Sequence, residues 1–417
     1  MSILSAICNI KERKPESIIK QVLLAGDDLN NGIKMDLLKY GAADMFWKMV
    51  HSTTGFNASE NIDDLMDHVV LSAISRTISS DVLSGLEERY SDIHSGFCYD
   101  MIFSWIHGSD QDTFKPISDF VTADLNLLDR FNKFEIEYLI DTDVLPAIDE
   151  VILSKLMHYI ISQNINTDTI MSTVEKRRTS AWYENYSYFY EGIYQVALMN
   201  RFYETHLNIF HHVNAKDMWD TYTSDYYQMD TYYREFHNAF SNCLQVTHPS
   251  LDDDFKDLAD YVEKEYKNWY LEKLASNWNK VIEKDLSTTG YITGIAQQTD
   301  FYRDIVKKVD GKVFVIVSDA MRYDVAYTLA RQLELETNAD VKISAQQGIY
   351  PTITKFGMAA LLPHKKLETV VQNESIKVLV DGHTSEMSDR DGILKSYSEN
   401  SICLLYTSPS PRDGATS

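Results

Sequence analysis

From the N-terminus to about residue 290, apolar positions recur at the three- and four-residue spacing of helices. Ile18, Val22 and Leu23 make one short face, and Leu65, Val69, Val70, Ala73 and Ile74 make another. Asp63 and Asp64 lie in the first turn of the second, where carboxylates suit the positive end of the helix dipole. Between Trp182 and Met199 the pattern Trp182, Tyr186, Phe189, Tyr190, Ile193, Tyr194, Ala197 predicts a helix with one wide apolar face. Asp257 to Leu274 repeats the style through Leu258, Tyr261, Val262, Tyr266, Trp269, Tyr270 and Leu274. The 26 tyrosines invite a base-stacking reading. Their core spacing favours a plainer one, in which rings pack and hydroxyls reach polar edges.

Near residue 300 the texture changes. Lys312–Ser318 is a continuous β-branched and aromatic run bounded by Asp310-Gly311, which predicts a strand buried on both faces, as in parallel sheets. Val325, Ala326, Leu329, Ala330 and Leu333 then mark a helix over 323–335, followed by a short strand over 340–345. A short helix over 355–362 ends at Pro363, and a third strand over 376–380 stops at Asp381-Gly382. Strand, helix, strand, helix, strand is the opening of a doubly wound α/β domain. The fold class expected is therefore multidomain α plus α/β: a helical region over 1–295, then α/β structure over 300–402. Residues 403–417 are Ser- and Pro-rich, bury little, and are expected to be a disordered, non-native tail.

Composition narrows the partners. Sixty-two acidic residues against 39 basic ones give a formal charge of −23, which argues against a broad basic footprint for nucleic acid without excluding a local groove. Cys8, Cys98, Cys243 and Cys403 have no C-x-x-C spacing and read as reduced cytosolic thiols. The apolar run Ile3–Ile10 precedes its positive charges instead of following them, so it does not read as a signal peptide. No apolar stretch is long enough for a bilayer. The expectation is a soluble, cytoplasmic protein without a membrane partner.

Two positions carry candidate chemistry. Asp319 stands at the carboxyl end of the first expected strand, where α/β folds gather ligands, and it could hold a divalent metal or cap the next helix. Thr354, in Tyr350-Pro-Thr-Ile-Thr354, enters the short helix, where backbone N–H groups and the dipole favour a phosphate and stabilise an alkoxide. Capping is the commoner role for such a threonine. A strand-end aspartate followed by a P-T-x-T turn into a small-residue helix is more specific than either feature alone.

The segments Lys312–Tyr323 and Tyr350–His364 resemble the PglZ domain, a branch of the alkaline phosphatase superfamily. Val174–Tyr183, Trp219–His237 and Tyr266–Tyr270 are similar to the helical region of type A members from BREX/Pgl phage-defence systems, and Val378–Gly382 fits as well. The resemblance covers most of residues 1–400. It implies an alkaline-phosphatase-like α/β domain of which this chain holds the first half. It implies a metal-dependent phosphatase or phosphodiesterase with Asp319 as metal ligand and Thr354 as both nucleophile and metal ligand. Thr352 is the runner-up hydroxyl, and Arg322 either neutralises phosphate or pairs with an acid such as Asp324. His364 and His383 are not assigned, since a lone histidine beside a loop is more often a surface residue. The cofactor implied is a divalent metal, zinc in the first instance. The implied partners are a phosphoester substrate such as a nucleotide or DNA, and other defence-system proteins. The family's further Asp and His ligands come from later strands. Beyond residue 384 only Asp389, Asp391 and Asp413 offer themselves, so the polypeptide is expected to be a fragment that is inactive alone. The alternative is a non-catalytic scaffold of the defence complex.

Overall fold

A computed structural model describes residues 1–207, 210–372 and 375–403. They group into two compact units: Met1–Thr205 with Tyr232–Lys264, and His206–Thr231 with the residues from Glu265 onward.

The first unit is helical. The helix Pro15–Leu24 starts with proline at its first position, where a missing N–H costs nothing, and buries Ile18, Val22 and Leu23. In Ile62–Ser75 the side chain of Asn61 accepts from the amides of Asp63 and Asp64 at 2.8 and 3.1 Å, satisfying two orphan donors. The helix Tyr183–Thr205 buries Tyr186, Phe189, Tyr190, Ile193 and Ala197, the face its periodicity marks. Gly192 lies on the same face because a Cβ there would come within 2.7 Å of the Phe255 ring. No helix among the described residues is long and apolar enough to cross a membrane.

Two buried ionisable sites in this unit have opposite consequences. Arg177 and Asp149 are 2% and 0% exposed. Arg177 Nε and Nη2 donate to the two carboxylate oxygens at 2.9 and 2.7 Å. Its Nη1 donates to the Thr142 carbonyl at 2.8 Å, and Tyr190 Oη donates to Asp149 Oδ1 at 2.6 Å. That network is well satisfied. Asp67, also buried, has Arg89 Nη1 at 3.1 Å on one oxygen, while its Oδ1 has no hydrogen-bond partner among the described residues. Burial, then the nearby Asp124, pushes its carboxyl up to about 8. A raised carboxyl pKa means the folded state prefers the neutral acid. The stabilising contribution is complete below the unfolded value of about 4 and is lost as pH rises to about 8. Asp67→Asn should therefore raise the melting temperature at pH 8 and leave it nearly unchanged at pH 4. Thermal melts of both proteins across that range check the sign.

Two apolar clusters lie among the described residues of the second unit. Ala215, Ile282, Ile292 and Ile295 form one, flanked by Trp219 and Trp278. Phe356, Ala359, Leu362, Val378, Val380 and Ile393 form the other. Buried Gln347 pins the connecting backbone. Its amide nitrogen donates to the carbonyls of Ile292 and Ile295 at 2.8 and 3.0 Å, and its oxygen accepts from Ile292 N at 2.7 Å. The sheet is small and antiparallel: β1 (Leu367–Gln372), β2 (Ser375–Val380) and β3 (His383–Thr384), in that order. The helix Thr354–Leu361 shares the second apolar cluster with β2.

The parallel sheet expected for this region is not formed among the described residues. Residues 312–318 carry no strand assignment, and Phe314 and Ile316 are 72% and 92% exposed. Residues 340–345 are likewise without strand pairing, and the one parallel contact is an isolated bridge between Gln297 and Gln347. A β-branched run sets a preference for burial, but a ladder needs a neighbour at the right register, and no strand among the described residues pairs with 312–318. The strand expected over 376–380 is present as β2, paired instead with the antiparallel β1. Residues 404–417, most of the expected tail, lie outside the described residues.

Candidate active site

Asp319 lies in the turn between the unpaired 312–318 segment and the helix Tyr323–Glu336. It does not cap that helix, whose N-cap is Arg322. Its Oδ1 accepts from the following amide, Ala320 N, at 3.0 Å. Ala320 has φ +58°, a left-handed conformation that costs a non-glycine residue about 1–2 kcal/mol. Thr354 is the first residue of its helix, and the cap position belongs to Ile353, which supplies no side-chain cap. The P-T-x-T turn enters through a cis Tyr350–Pro351 peptide.

These two turns meet. Thr354 Oγ1 donates to Asp319 Oδ2 at 3.1 Å, and both side chains are exposed. The carboxylate and the hydroxyl thus sit within one hydrogen bond of each other at a helix N-terminus whose first amides have no partner within the helix. Thr352, two residues earlier, is exposed in the same turn.

The remaining candidates lie elsewhere. Arg322 binds acids: Nη2 is 2.8 Å from Asp230 Oδ1 and Nε is 3.0 Å from Asp324 Oδ1. His364 Nδ1 is 2.7 Å from the Leu362 carbonyl, a local contact, and His383 is an exposed residue of β3. Asp389 is hydrogen-bonded to Thr384, and Asp391 to Lys395 Nζ and Cys403 N at 2.6 and 3.0 Å. Asp381 is pulled below the usual carboxylate range, first by the Tyr397 hydroxyl and also by the amides of Lys366 and Lys365. Asp413 lies outside the described residues. Among the described residues no group of three or more His, Cys, Asp or Glu side chains converges as a metal site would require. Asp319 and Thr354 supply two oxygen donors. That fits one edge of a divalent site and falls short of the four ligands zinc takes.

Sequence reasoning missed the polar cluster behind the Asp319 turn. Asp230 is 4% exposed. It accepts from Tyr222 Oη at 2.7 Å and from the Tyr266 hydroxyl, besides pairing with Arg322, while Tyr270 Oη, 3.4 Å away, donates to the Tyr226 carbonyl at 2.8 Å. Burial, then the charge of Asp230, pushes the phenols of Tyr222 and Tyr266 well up. The available signal was an aspartate next to buried Met229 on a tyrosine-rich helical face, a placement that demands partners.

Residues 299–407 match the family described as BREX system PglZ alkaline phosphatase-like domain. The chain is 28% identical over 410 residues to "Alkaline phosphatase-like protein PglZ" of Bacillus cereus (strain H3081.97), covering 97% of this chain and 47% of that protein. It is 27% identical over 378 residues to "Alkaline phosphatase-like protein BrxZ" of Escherichia coli O9:H4 (strain HS), covering 87% of this chain and 43% of that protein. The chain thus spans about half the length of these curated relatives. No solved structure matches it.

Proposed function

We propose that this chain, which belongs to the PglZ family, carries the nucleophile and one metal ligand of a phosphohydrolase serving bacterial phage resistance. The contact that carries this reading is Thr354 Oγ1 to Asp319 Oδ2 at 3.1 Å. The substrate class is a phosphoester, a nucleotide or DNA among the candidates, and the setting is a cytoplasmic assembly with other defence proteins.

Thr354 attacks phosphorus. The Oγ1–P bond forms, the bond from phosphorus to the leaving oxygen breaks, and the hydroxyl proton leaves Oγ1 toward Asp319 or solvent. The helix amides behind Thr354 face the developing charge on the phosphoryl oxygens. A divalent cation held by Asp319 and Thr354, with further ligands, would lower the pKa of the hydroxyl and offset phosphate charge. Water then cleaves the phosphothreonine ester and restores Thr354. A free threonine hydroxyl is too weak an acid to ionise unaided near neutral pH, so a cation partner is integral to the scheme.

The discriminating experiment uses the protein at the full length of its relatives. Hydrolysis of p-nitrophenyl phosphate and of bis-p-nitrophenyl phosphate is measured with zinc, manganese or magnesium, and after chelation. Metal-dependent turnover of either ester is expected, and the preferred one separates a phosphatase from a phosphodiesterase. No turnover with any of these metals, together with phage restriction that survives Thr354→Ala, would leave a scaffold.

A further inference from the structure

We infer that Asp230 and Arg322 form an anchor that positions the Asp319 carboxylate, an inference that rests on the proposed metal role of Asp319. Asp230 is buried, and its two oxygens receive the hydroxyls of Tyr222 and Tyr266 and a guanidinium. Such a network is costly to assemble, and an apolar replacement often serves stability as well. The elements that build it are specialised. Tyr222 opens a π-helical turn, Tyr222–Tyr226, and Tyr266 and Tyr270 lie in a second one, Glu265–Leu271. Widened turns of this kind are rare and occur frequently at functional sites.

The anchor grips one end of the turn that carries Asp319. Arg322 bridges Asp230 and the fully buried Asp324, at 2.8 and 3.0 Å. The next residue, Tyr323, donates its hydroxyl to the Thr223 carbonyl at 2.9 Å and packs its ring 5.5 Å from that of Tyr227. The other end of the turn runs into the exposed, unpaired 312–318 segment. The backbone of the turn is therefore tied down at its Arg322 end, while the Asp319 carboxylate itself meets Thr354 Oγ1 and Ala320 N. Two carboxylates around one guanidinium leave a net negative charge, which suits a tether and repels a phosphate. Arg322 is accordingly a positioning residue.

Hydrogen–deuterium exchange and zinc titration on the protein at the full length of its relatives test this with Arg322→Gln and Asp230→Asn. Arg322→Gln keeps a donor toward the buried Asp230 and Asp324, and unchanged exchange in the helix Tyr183–Thr205 together with a wild-type melting temperature shows that the variant is folded. Amides of residues 317–323 should exchange about tenfold faster in Arg322→Gln, while those of the helix Tyr183–Thr205 keep their rates. Zinc affinity should weaken about tenfold, as for loss of a group that orients a ligand. Wild-type exchange over 317–323 in the variants overturns the anchor. So does unchanged zinc affinity in Arg322→Gln when Asp319→Asn removes binding. If Asp319→Asn leaves zinc affinity intact, the metal role of Asp319 fails, and the exchange result alone judges the anchor.

Discussion

Replacing Thr354 with alanine should lower phosphoester hydrolysis by about 10³-fold or more, because the substitution removes the attacking atom itself. Thr354 is exposed, and its one side-chain hydrogen bond among the described residues goes to Asp319. Stability should therefore change by no more than about 0.5 kcal/mol, the range for surface substitutions. Thr354→Ser keeps the hydroxyl and should retain most of the rate. Thr352→Ala tests the neighbouring hydroxyl and should leave the rate within a small factor. Parallel melts and rate assays on the three variants check the pattern. Loss of activity with Thr352→Ala and retention with Thr354→Ala would transfer the nucleophile by two residues.

The second large effect concerns stability. Arg177→Ala or Asp149→Ala should each destabilise the helical unit by about 3–5 kcal/mol, since either leaves its partner charged, buried and unpaired. Every polar atom in that network now has a close partner, from the Thr142 carbonyl to the Tyr190 hydroxyl. Tyr190→Phe removes one neutral donor from a carboxylate and should cost about 1–3 kcal/mol. Replacing both charges together, as Arg177→Met with Asp149→Leu, should cost much less than the sum of the singles. A double-mutant cycle on urea midpoints measures the difference. Additive singles would mean that the pair does not stabilise itself.

Local structure was readable from the chain because it depends on neighbours in sequence. The stripe Leu65, Val69, Val70, Ala73, Ile74 is fully buried. The helix expected over 355–362 runs Thr354–Leu361. Tyr190 and Tyr266 behave as core rings with hydroxyls on buried carboxylates. Pairing across long separations was not readable. Val313–Val317 has strand chemistry and no ladder, and β2 pairs with a Thr-Val-Val segment that no periodicity had marked. Asp319 and Thr354 could be picked out by type and position, but their proximity depends on two turns 35 residues apart. Asp230 was hidden for the same reason. Its partners come from two π-helical turns and the Asp319 turn, and only folding brings them to one carboxylate.

The central proposition is that the Asp319 carboxylate and the Thr354 hydroxyl bind one divalent cation. Its most direct test is anomalous scattering from crystals of the protein, at the full length of its relatives, grown with zinc. The account expects a zinc peak about 2.0–2.2 Å from an oxygen of Asp319, with Thr354 Oγ1 in the same coordination shell. A zinc bound elsewhere, with the Asp319 and Thr354 oxygens too far apart to share it, would contradict the account.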